Sequence, residues 1–202
     1  MLDALMRPLI DPALAGGGRA LARRRVPANA VTLVGLMLGL GSALMIALGS
    51  PGWALLPLLL SRLCDGLDGA VARVAGKTDF GGYLDITCDF LFYGAVPLGF
   101  VLSDPSANGA AGAFLLTSFY FNGASFLGFA ILAAKRGMET RAQGEKSLYF
   151  SVGLLEGTET ILFFVAFCLW PAAFAPLAWV FGGLCFLTAS ARIALAWRVF
   201  GR

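Results

Sequence analysis

Residues 30–50 read AVTLVGLMLGLGSALMIALGS, an apolar stretch without a single charged side chain. A helix of about 20 such residues is what the hydrocarbon layer of a bilayer requires, so this stretch predicts a membrane-spanning helix. The whole chain agrees, because 58% of its 202 residues are hydrophobic, 13% are charged and the mean hydropathy is +0.80. A soluble domain is about one quarter charged. The sequence therefore predicts an all-α integral membrane protein.

Further apolar stretches follow the first one, separated by glycine, proline and charged residues. Together they predict six transmembrane helices, at residues 30–50, 53–75, 83–103, 108–134, 149–170 and 177–197. We expect two parts in the chain. Residues 1–25 would form an N-terminal interfacial, juxtamembrane segment, and residues 26–202 the six-helix membrane domain.

The N-terminal segment combines leucines with arginines that gather towards Arg25. This pattern favours an amphipathic helix lying on anionic lipid headgroups. The alternative is an unstructured basic tail, because Pro8, Pro12 and the glycines at 16–18 would interrupt a long helix. Acids, prolines and glycines precede the first apolar core, so we expect no cleavable signal peptide.

The distribution of basic residues predicts the orientation in the membrane. All 15 Lys and Arg residues lie before the first span, in the second span and the loop after it, between the fourth and fifth spans, or in and after the last span. Cytoplasmic loops are the ones that retain basic residues. We therefore expect a protein of the bacterial inner (cytoplasmic) membrane with both termini and the active site on the cytoplasmic side.

Two residue counts exclude common kinds of site. The chain has no histidine, which excludes a histidine catalyst and a histidine-bound zinc ion. Its four cysteines form no CxxC pair and lie in apolar surroundings, so neither a disulfide framework nor a thiolate metal site is expected. We also expect no nucleic-acid partner.

Residues 64–89 read CDGLDGAVARVAGKTDFGGYLDITCD and concentrate acidic residues in this apolar chain. On helices, Asp65 and Asp68 share one face, and Asp85 and Asp89 share another, because residues three or four apart are neighbours. Two antiparallel helices joined by a short turn would bring both pairs together. A charge within a membrane costs from about 2.5 to more than 10 kcal/mol, and only two arginines lie near enough in sequence to pair with these acids.

Carboxylates that face one another repel, and divalent cations remove that repulsion. An all-oxygen donor set suits Mg²⁺ or Mn²⁺, and two such ions can stabilise both oxygens of a phosphoryl transfer. We therefore predict a site for two Mg²⁺ or Mn²⁺ ions, held by Asp65, Asp68, Asp85 and Asp89. The competing interpretation is a small cation transporter with an Asp-lined pathway, which would have no use for Arg73 beside its acids.

The neighbours of the acids indicate a bulky anionic ligand. Gly69 and Ala72 leave one face of the second helix nearly bare, so that a ligand can lie against the backbone. Arg73 adds a forked cation that suits a diphosphate. Gly81 makes similar space at the start of the third helix.

The pattern Asp65-x2-Asp68-Gly69-x2-Ala72-Arg73, followed by Gly81-x3-Asp85-x3-Asp89, resembles the signature of the CDP-alcohol phosphatidyltransferases. The segment between Arg73 and Gly81 is at least one residue shorter than expected for that family. The resemblance implies transfer of a phosphatidyl group from CDP-diacylglycerol, or a related CDP-linked lipid, to an alcohol with release of CMP, in phospholipid biosynthesis. It also implies a homodimer. A non-catalytic membrane protein that binds CDP-lipid is a further alternative.

The resemblance also implies residue roles. Asp65, Asp68 and Asp85 would hold the metal ions with Asp89 nearby, and Asp89 would be the general base. The nucleotide would be lined by Gly69, Ala72 and Arg73, with Gly81 leaving it room. The segment VPANAVTLVG, residues 26–35, is similar to the one that opens the first transmembrane helix in many members. Its Asn29 and Thr32 would either cap that helix or bind the cytidine group.

The identity of the acceptor alcohol stays open at the level of sequence. A phosphorylated acceptor needs a second basic pocket, for which the candidates are Arg136, Arg141, Lys146 and Arg192. For the first three, the alternative is a role as cytoplasmic anchors. Glycerol 3-phosphate is the acceptor that we favour. Glu156 and Glu159 would bind a cationic acceptor, pair with Arg192, or simply lie at the cytoplasmic mouth.

Overall fold

The computed structural model describes residues 3–138 and 157–201, and every regular element in these two ranges is helical. The predicted all-α class is therefore confirmed at this level. The elements are α1 (Asp3–Arg23), α2 (Ala28–Ala47), α3 (Pro51–Ala75), α4 (Asp79–Ser103), α5 (Pro105–Lys135), α6 (Gly157–Leu169), a 3-10 turn (Pro171–Ala173) and α7 (Phe174–Phe200).

The helix ends follow the local sequence signals. Pro51 and Pro105 occupy first helical positions, where the missing N–H costs nothing. Gly76 ends α3 with a φ of +105°, a conformation that glycine adopts without strain. The hydroxyl of Thr78 then accepts a hydrogen bond from the Gly81 N–H at 3.0 Å and so caps α4.

Four helices in the described ranges are long and apolar enough to cross a membrane, namely α2, α4, α5 and the stretch Pro171–Phe200 that contains α7. Helix α3 has 25 residues but carries the arginines and acids of the candidate site, and α6 is a shorter apolar helix. Residues 149–156 of the predicted fifth span lie outside the described residues. The count of six membrane crossings therefore stays a prediction.

Helix α1 runs without interruption across Pro8, Pro12 and the glycines at 16–18, so the alternative of an unstructured tail is wrong. The reason is tertiary packing against α3. A Cβ atom at Gly18 would lie 2.6 Å from the Cβ of Ala70 and 2.8 Å from the backbone carbonyl carbon of Ala70. The bare glycine lets the two helices approach this closely.

The packing order places α3 and α4 against a common neighbour. Helix α2 packs along both of them. Helix α4 also packs against α5, and α5 lies along α7. Helix α6 contacts α3 and α7. The core between them is largely aromatic, and its fully buried phenylalanines are Phe92, Phe100, Phe164, Phe167, Phe174 and Phe181. Because α3 and α4 are antiparallel and joined by residues 76–78, their acidic residues come to the same end of the bundle.

Candidate active site

The acids of α3 and α4 meet as predicted from their spacing. Asp65, Asp85 and Asp89 each offer a carboxylate oxygen, and these three oxygens lie within 4.8 Å of one another. Opposite ligands of a Mg²⁺ ion are about 4.2 Å apart, because each lies about 2.1 Å from the metal. A donor set made only of carboxylate oxygens also suits this hard cation. These three residues therefore fit a divalent metal ion.

Asp68 occupies a different position from the other three acids. It is only 5% exposed, and its Oδ2 accepts a hydrogen bond of 2.6 Å from the Thr32 hydroxyl on α2. The N-cap of α2 is Pro27, which forms no side-chain cap. In the structure, then, the Thr32 hydroxyl binds an acid of the site, a contact that was not among the roles expected for it.

Arg62 is one of the two arginines near enough in sequence to pair with the acids, although it was not among the predicted site residues. Its Nη1 donates to Oδ1 of Asp89 at 2.8 Å and lies 3.6 Å from Oδ1 of Asp65. The guanidinium carbon lies 3.9 Å from the centre of the Phe92 ring. The arginine three residues before Asp65 was visible in the sequence, but only the packing of α3 against α4 shows which acid it binds.

A first cavity of about 450 Å³ opens beside the acids, between the start of α2, the end of α3 and the start of α4. Asp68 and Asp85 line it, together with the cations Arg73 and Lys77. All residues predicted to bind the nucleotide are in its wall: Asn29, Thr32, Gly69, Ala72, Arg73 and Gly81.

Gly81 has a steric reason to lack a side chain. A Cβ atom there would lie 2.9 Å from Oγ1 of Thr78 and 3.2 Å from Oδ1 of Asn29. Contacts this short would displace the Asn29 amide or the cap of α4. The glycine thus keeps the wall of the first cavity open where α2 and α4 meet.

A second cavity of about 550 Å³ lies on the other side of the acids, between α4, α5, α6 and α7. Asp89 lines it, and so does Arg192. From α7, Nη1 of Arg192 donates to the side-chain oxygen of Asn122 at 2.9 Å and to the Ser125 hydroxyl at 2.6 Å. Much of the remaining wall is aromatic and apolar, including Phe90, Tyr93, Phe119 and Phe126.

The other acceptor candidates do not line either of these cavities in the described part of the chain. Arg136 donates to the backbone carbonyls of Val199 and Phe200 at 3.1 and 3.0 Å, bonds that satisfy the last carbonyls of α7. Arg141 and Lys146 lie outside the described residues, and so does Glu156. Glu159 is in the first turn of α6.

The two cavities meet at the acids. Asp85 borders the first cavity and Asp89 the second, while Asp65 lines a narrow internal space that it shares with Asp68 and Asp89. A divalent ion held there would lie next to an anionic group in the first cavity and a hydroxyl in the second. The arrangement is suited to transfer of a phosphoryl-type group from one cavity to the other.

Comparison with known proteins places this geometry in context. The sequence profile of the CDP-alcohol phosphatidyltransferase family matches residues 25–197. The inner membrane protein YnjF of Escherichia coli strain K12 is 48% identical over 193 residues, which are 96% of this chain and 94% of that protein. Archaetidylinositol phosphate synthase of Pyrococcus horikoshii is 33% identical over 98 residues, which are 48% of this chain and 52% of that one.

A solved structure shares the fold. Phosphatidylinositol phosphate synthase of Mycobacterium tuberculosis, crystallised with CDP-DAG bound, superposes with a TM-score of 0.65. The superposition covers 91% of this chain and 93% of that one, with 24% sequence identity. At that identity the likeness shows a common architecture.

Proposed function

Because this chain belongs to the CDP-alcohol phosphatidyltransferase family, we propose that it transfers a phosphatidyl group from CDP-diacylglycerol, or a related CDP-linked lipid, to an alcohol and releases CMP. The observation that carries the proposal is the position of the acids between two cavities. One cavity has Arg73 and bare glycines for a diphosphate, and the other is lined by both Arg192 and Asp89. The reaction is a step of phospholipid biosynthesis.

The first cavity is the proposed site of the CDP group. Arg73 binds the diphosphate, because its planar fork matches phosphate oxygens. Gly69 and Ala72 let the nucleotide lie close to α3, and Gly81 does the same at α4. Asn29 and Thr32 line the same wall and contact the cytidine side of the ligand.

Asp65, Asp68 and Asp85 are the proposed ligands of two divalent ions, Mg²⁺ or Mn²⁺, with Asp89 beside them. When bound, such ions supply Lewis-acid stabilisation of the charge on the phosphate oxygens. The hydrogen bond from Thr32 on α2 orients the Asp68 carboxylate for this role. Orientation of a ligand by a second residue is a common feature of metal sites.

Asp89 is the proposed general base. Its carboxylate takes the proton of the acceptor hydroxyl while that oxygen forms a bond to the β-phosphorus of the CDP-lipid. The bond between this phosphorus and the oxygen of the CMP phosphate breaks, and CMP leaves with the electron pair. The position of Asp89 in the wall of the second cavity supports this role.

The second cavity is the proposed site of a phosphorylated acceptor. Arg192 supports this choice, because a half-buried cation near the base suits a phosphate group. Glycerol 3-phosphate is the acceptor that we favour. An inositol phosphate is the second candidate, since two similar proteins are named as synthases of lipids with an inositol phosphate headgroup.

We further propose that the protein is a homodimer of the bacterial inner membrane, in which residues 26–202 form a six-helix domain with α3 and α6 completing the crossings. The relative YnjF, named as an inner membrane protein, supports this location. Residues 1–25 lie at the membrane surface on the cytoplasmic side, where the basic residues gather.

The proposal is tested with the purified protein in lipid nanodiscs. CDP-diacylglycerol, Mn²⁺ or Mg²⁺ and a panel of alcohols are supplied, and CMP and the lipid product are measured. We expect CMP release that requires both a divalent ion and a phosphorylated alcohol. Binding of CDP-diacylglycerol without turnover under any condition would leave a binding protein, and a lack of binding would favour the transporter interpretation.

Asp89→Asn tests the assignment of the base. The amide keeps the size of the side chain but accepts no proton, so we expect turnover to fall at least about 100-fold while CDP-diacylglycerol still binds. Asp79→Asn is the matched control, because Asp79 is an exposed acid in the first turn of the same helix. Activity of Asp89→Asn near that of the control would contradict the assignment.

A further inference from the structure

Arg62 is a buried cation next to the proposed base, and the reaction as proposed above gives it no part. Its side chain is only 10% exposed. It lies on α3, the helix that also bears Asp65 and Asp68. Burial of an arginine is costly unless its charge is paired. Arg62 meets two carboxylates, but the shorter contact, of 2.8 Å, is with Asp89 rather than with Asp65 at 3.6 Å.

Two further contacts fix the guanidinium group. Its face lies on the ring of Phe92 at 3.9 Å, an attractive arrangement for a cation. Its Nη2 donates to the Ser61 hydroxyl at 3.2 Å. The Phe92 ring in turn fits against α2 at Gly39, where a Cβ atom would lie 2.5 Å from the ring. The side chain therefore has one well-determined position.

The bond from Arg62 uses one oxygen of Asp89. Nη1 donates to Oδ1. Both residues line a narrow internal space, together with Asp65 and Asp68. Asp89 also lines the second cavity, and its side chain is 25% exposed. A carboxylate has two oxygens, so fixing one of them on the core side determines where the other one lies.

We propose that Arg62 is a positioning residue for Asp89, which holds Oδ1 towards the core so that Oδ2 faces the acceptor hydroxyl in the second cavity. The inference rests on the proposed function for the chemistry of Asp89. It assigns to Arg62 a task that acts through the base, and it predicts that loss of the guanidinium slows the chemical step rather than the binding of CDP-lipid or metal.

The test compares Arg62→Met, which keeps the length of the side chain without its charge, with Arg62→Lys, which keeps the charge without the fork. Arg198→Met is the control, because Arg198 is an exposed arginine in the last turn of α7. Four quantities are measured: kcat, the KM for CDP-diacylglycerol, the affinity for Mn²⁺ by electron paramagnetic resonance, and the Tm.

Loss of a residue that orients a metal ligand typically costs about 10- to 100-fold in affinity or activity, and by analogy we expect kcat of Arg62→Met to fall by that factor. The KM for CDP-diacylglycerol and the Mn²⁺ affinity should stay within about twofold of the parent values, as a pure change in kcat requires. Arg62→Lys should lie between the parent and Arg62→Met.

A parent-like kcat in Arg62→Met would overturn the inference, and so would a loss of Mn²⁺ or CDP-lipid binding that accounts for the lower rate. If Arg62→Met does not fold, Arg62→Lys decides: an unchanged Tm with a kcat lower by about tenfold supports positioning, and a parent-like kcat contradicts it. An inactive parent protein would instead contradict the proposed function itself.

Discussion

At the scale of single residues, the hydrogen-bond partner of Thr32 could not be predicted from the spacing of residues in the sequence. The sequence allowed two roles for its hydroxyl, as a helix cap or as a contact to the nucleotide. In the structure the hydroxyl binds Asp68, 36 positions later in the chain, with a bond of 2.6 Å. Such a pairing depends on how α2 lies against α3, so no local pattern encodes it.

Thr32→Val keeps the shape of the side chain and removes this bond. If Thr32 orients Asp68 as a metal ligand, the Mn²⁺ concentration that gives half-maximal activity should rise by about 10- to 100-fold. It is measured by titrating Mn²⁺ in the CMP-release assay. Thr32→Ser retains the hydroxyl and should stay close to the parent. An equal effect of both substitutions would show that the hydroxyl is not the group that matters.

The acids themselves were predictable from sequence, since residues three or four apart on a helix share a face. Asp65, Asp85 and Asp89 do come together. The contacts that orient them were not predictable, because Arg62 lies 27 positions before Asp89 and Thr32 lies 36 positions before Asp68. Those choices are made by the packing of α2 and α4 on α3.

At the scale of helices, the apolar stretches predicted the positions of α2 to α5 and of α7 to within a few residues. Proline and glycine marked the ends correctly at Pro51, Gly76 and Pro105. The same residue types would have been misleading within α1, which continues through them. In that helix Gly17 and Gly18 are contact points for α3, and the packing outweighs their weak helix propensity.

Gly18 and Gly16 test this explanation of α1. Gly18→Ala would place a methyl group 2.6 Å from the Cβ of Ala70, an overlap of the kind that costs about 1–3 kcal/mol. Gly16→Ala meets nothing within 4 Å and should be neutral or stabilising by up to about 1 kcal/mol. Thermal unfolding in detergent should therefore show a lower Tm for Gly18→Ala alone. Equal shifts for the two variants would mean that α1 does not depend on this contact.

At the scale of the whole molecule, the site is made by the bundle rather than by one motif. The signature residues lie on α3 and α4, but the second cavity also needs α5, α6 and α7. Only the assembled bundle brings Arg192 from the end of the chain to the same space as Asp89. The motif therefore predicted the acids, whereas the second cavity depends on long-range packing.

The proposed orientation of the whole molecule is tested by thiol labelling in intact cells. Arg24→Cys should be shielded from a membrane-impermeant reagent until the cells are lysed, because basic segments stay on the cytoplasmic side. Ser106→Cys, in the first turn of α5, should react without lysis. Both positions are exposed. The parent protein gives the background, since three of its four free cysteines are buried. The reverse pattern would contradict cytoplasmic termini.

Helix α3 differs from its neighbours in a way that affects how the protein is made. It carries Arg62 and two acids within a stretch that also includes Arg73, so it is too polar to partition from the translocon into lipid by itself. It packs along α2, which is apolar enough to leave first. In the proposed topology α3 therefore enters the membrane by packing on α2 beside the translocon, and a change that weakens the contact between α2 and α3 is expected to leave α3 in the channel.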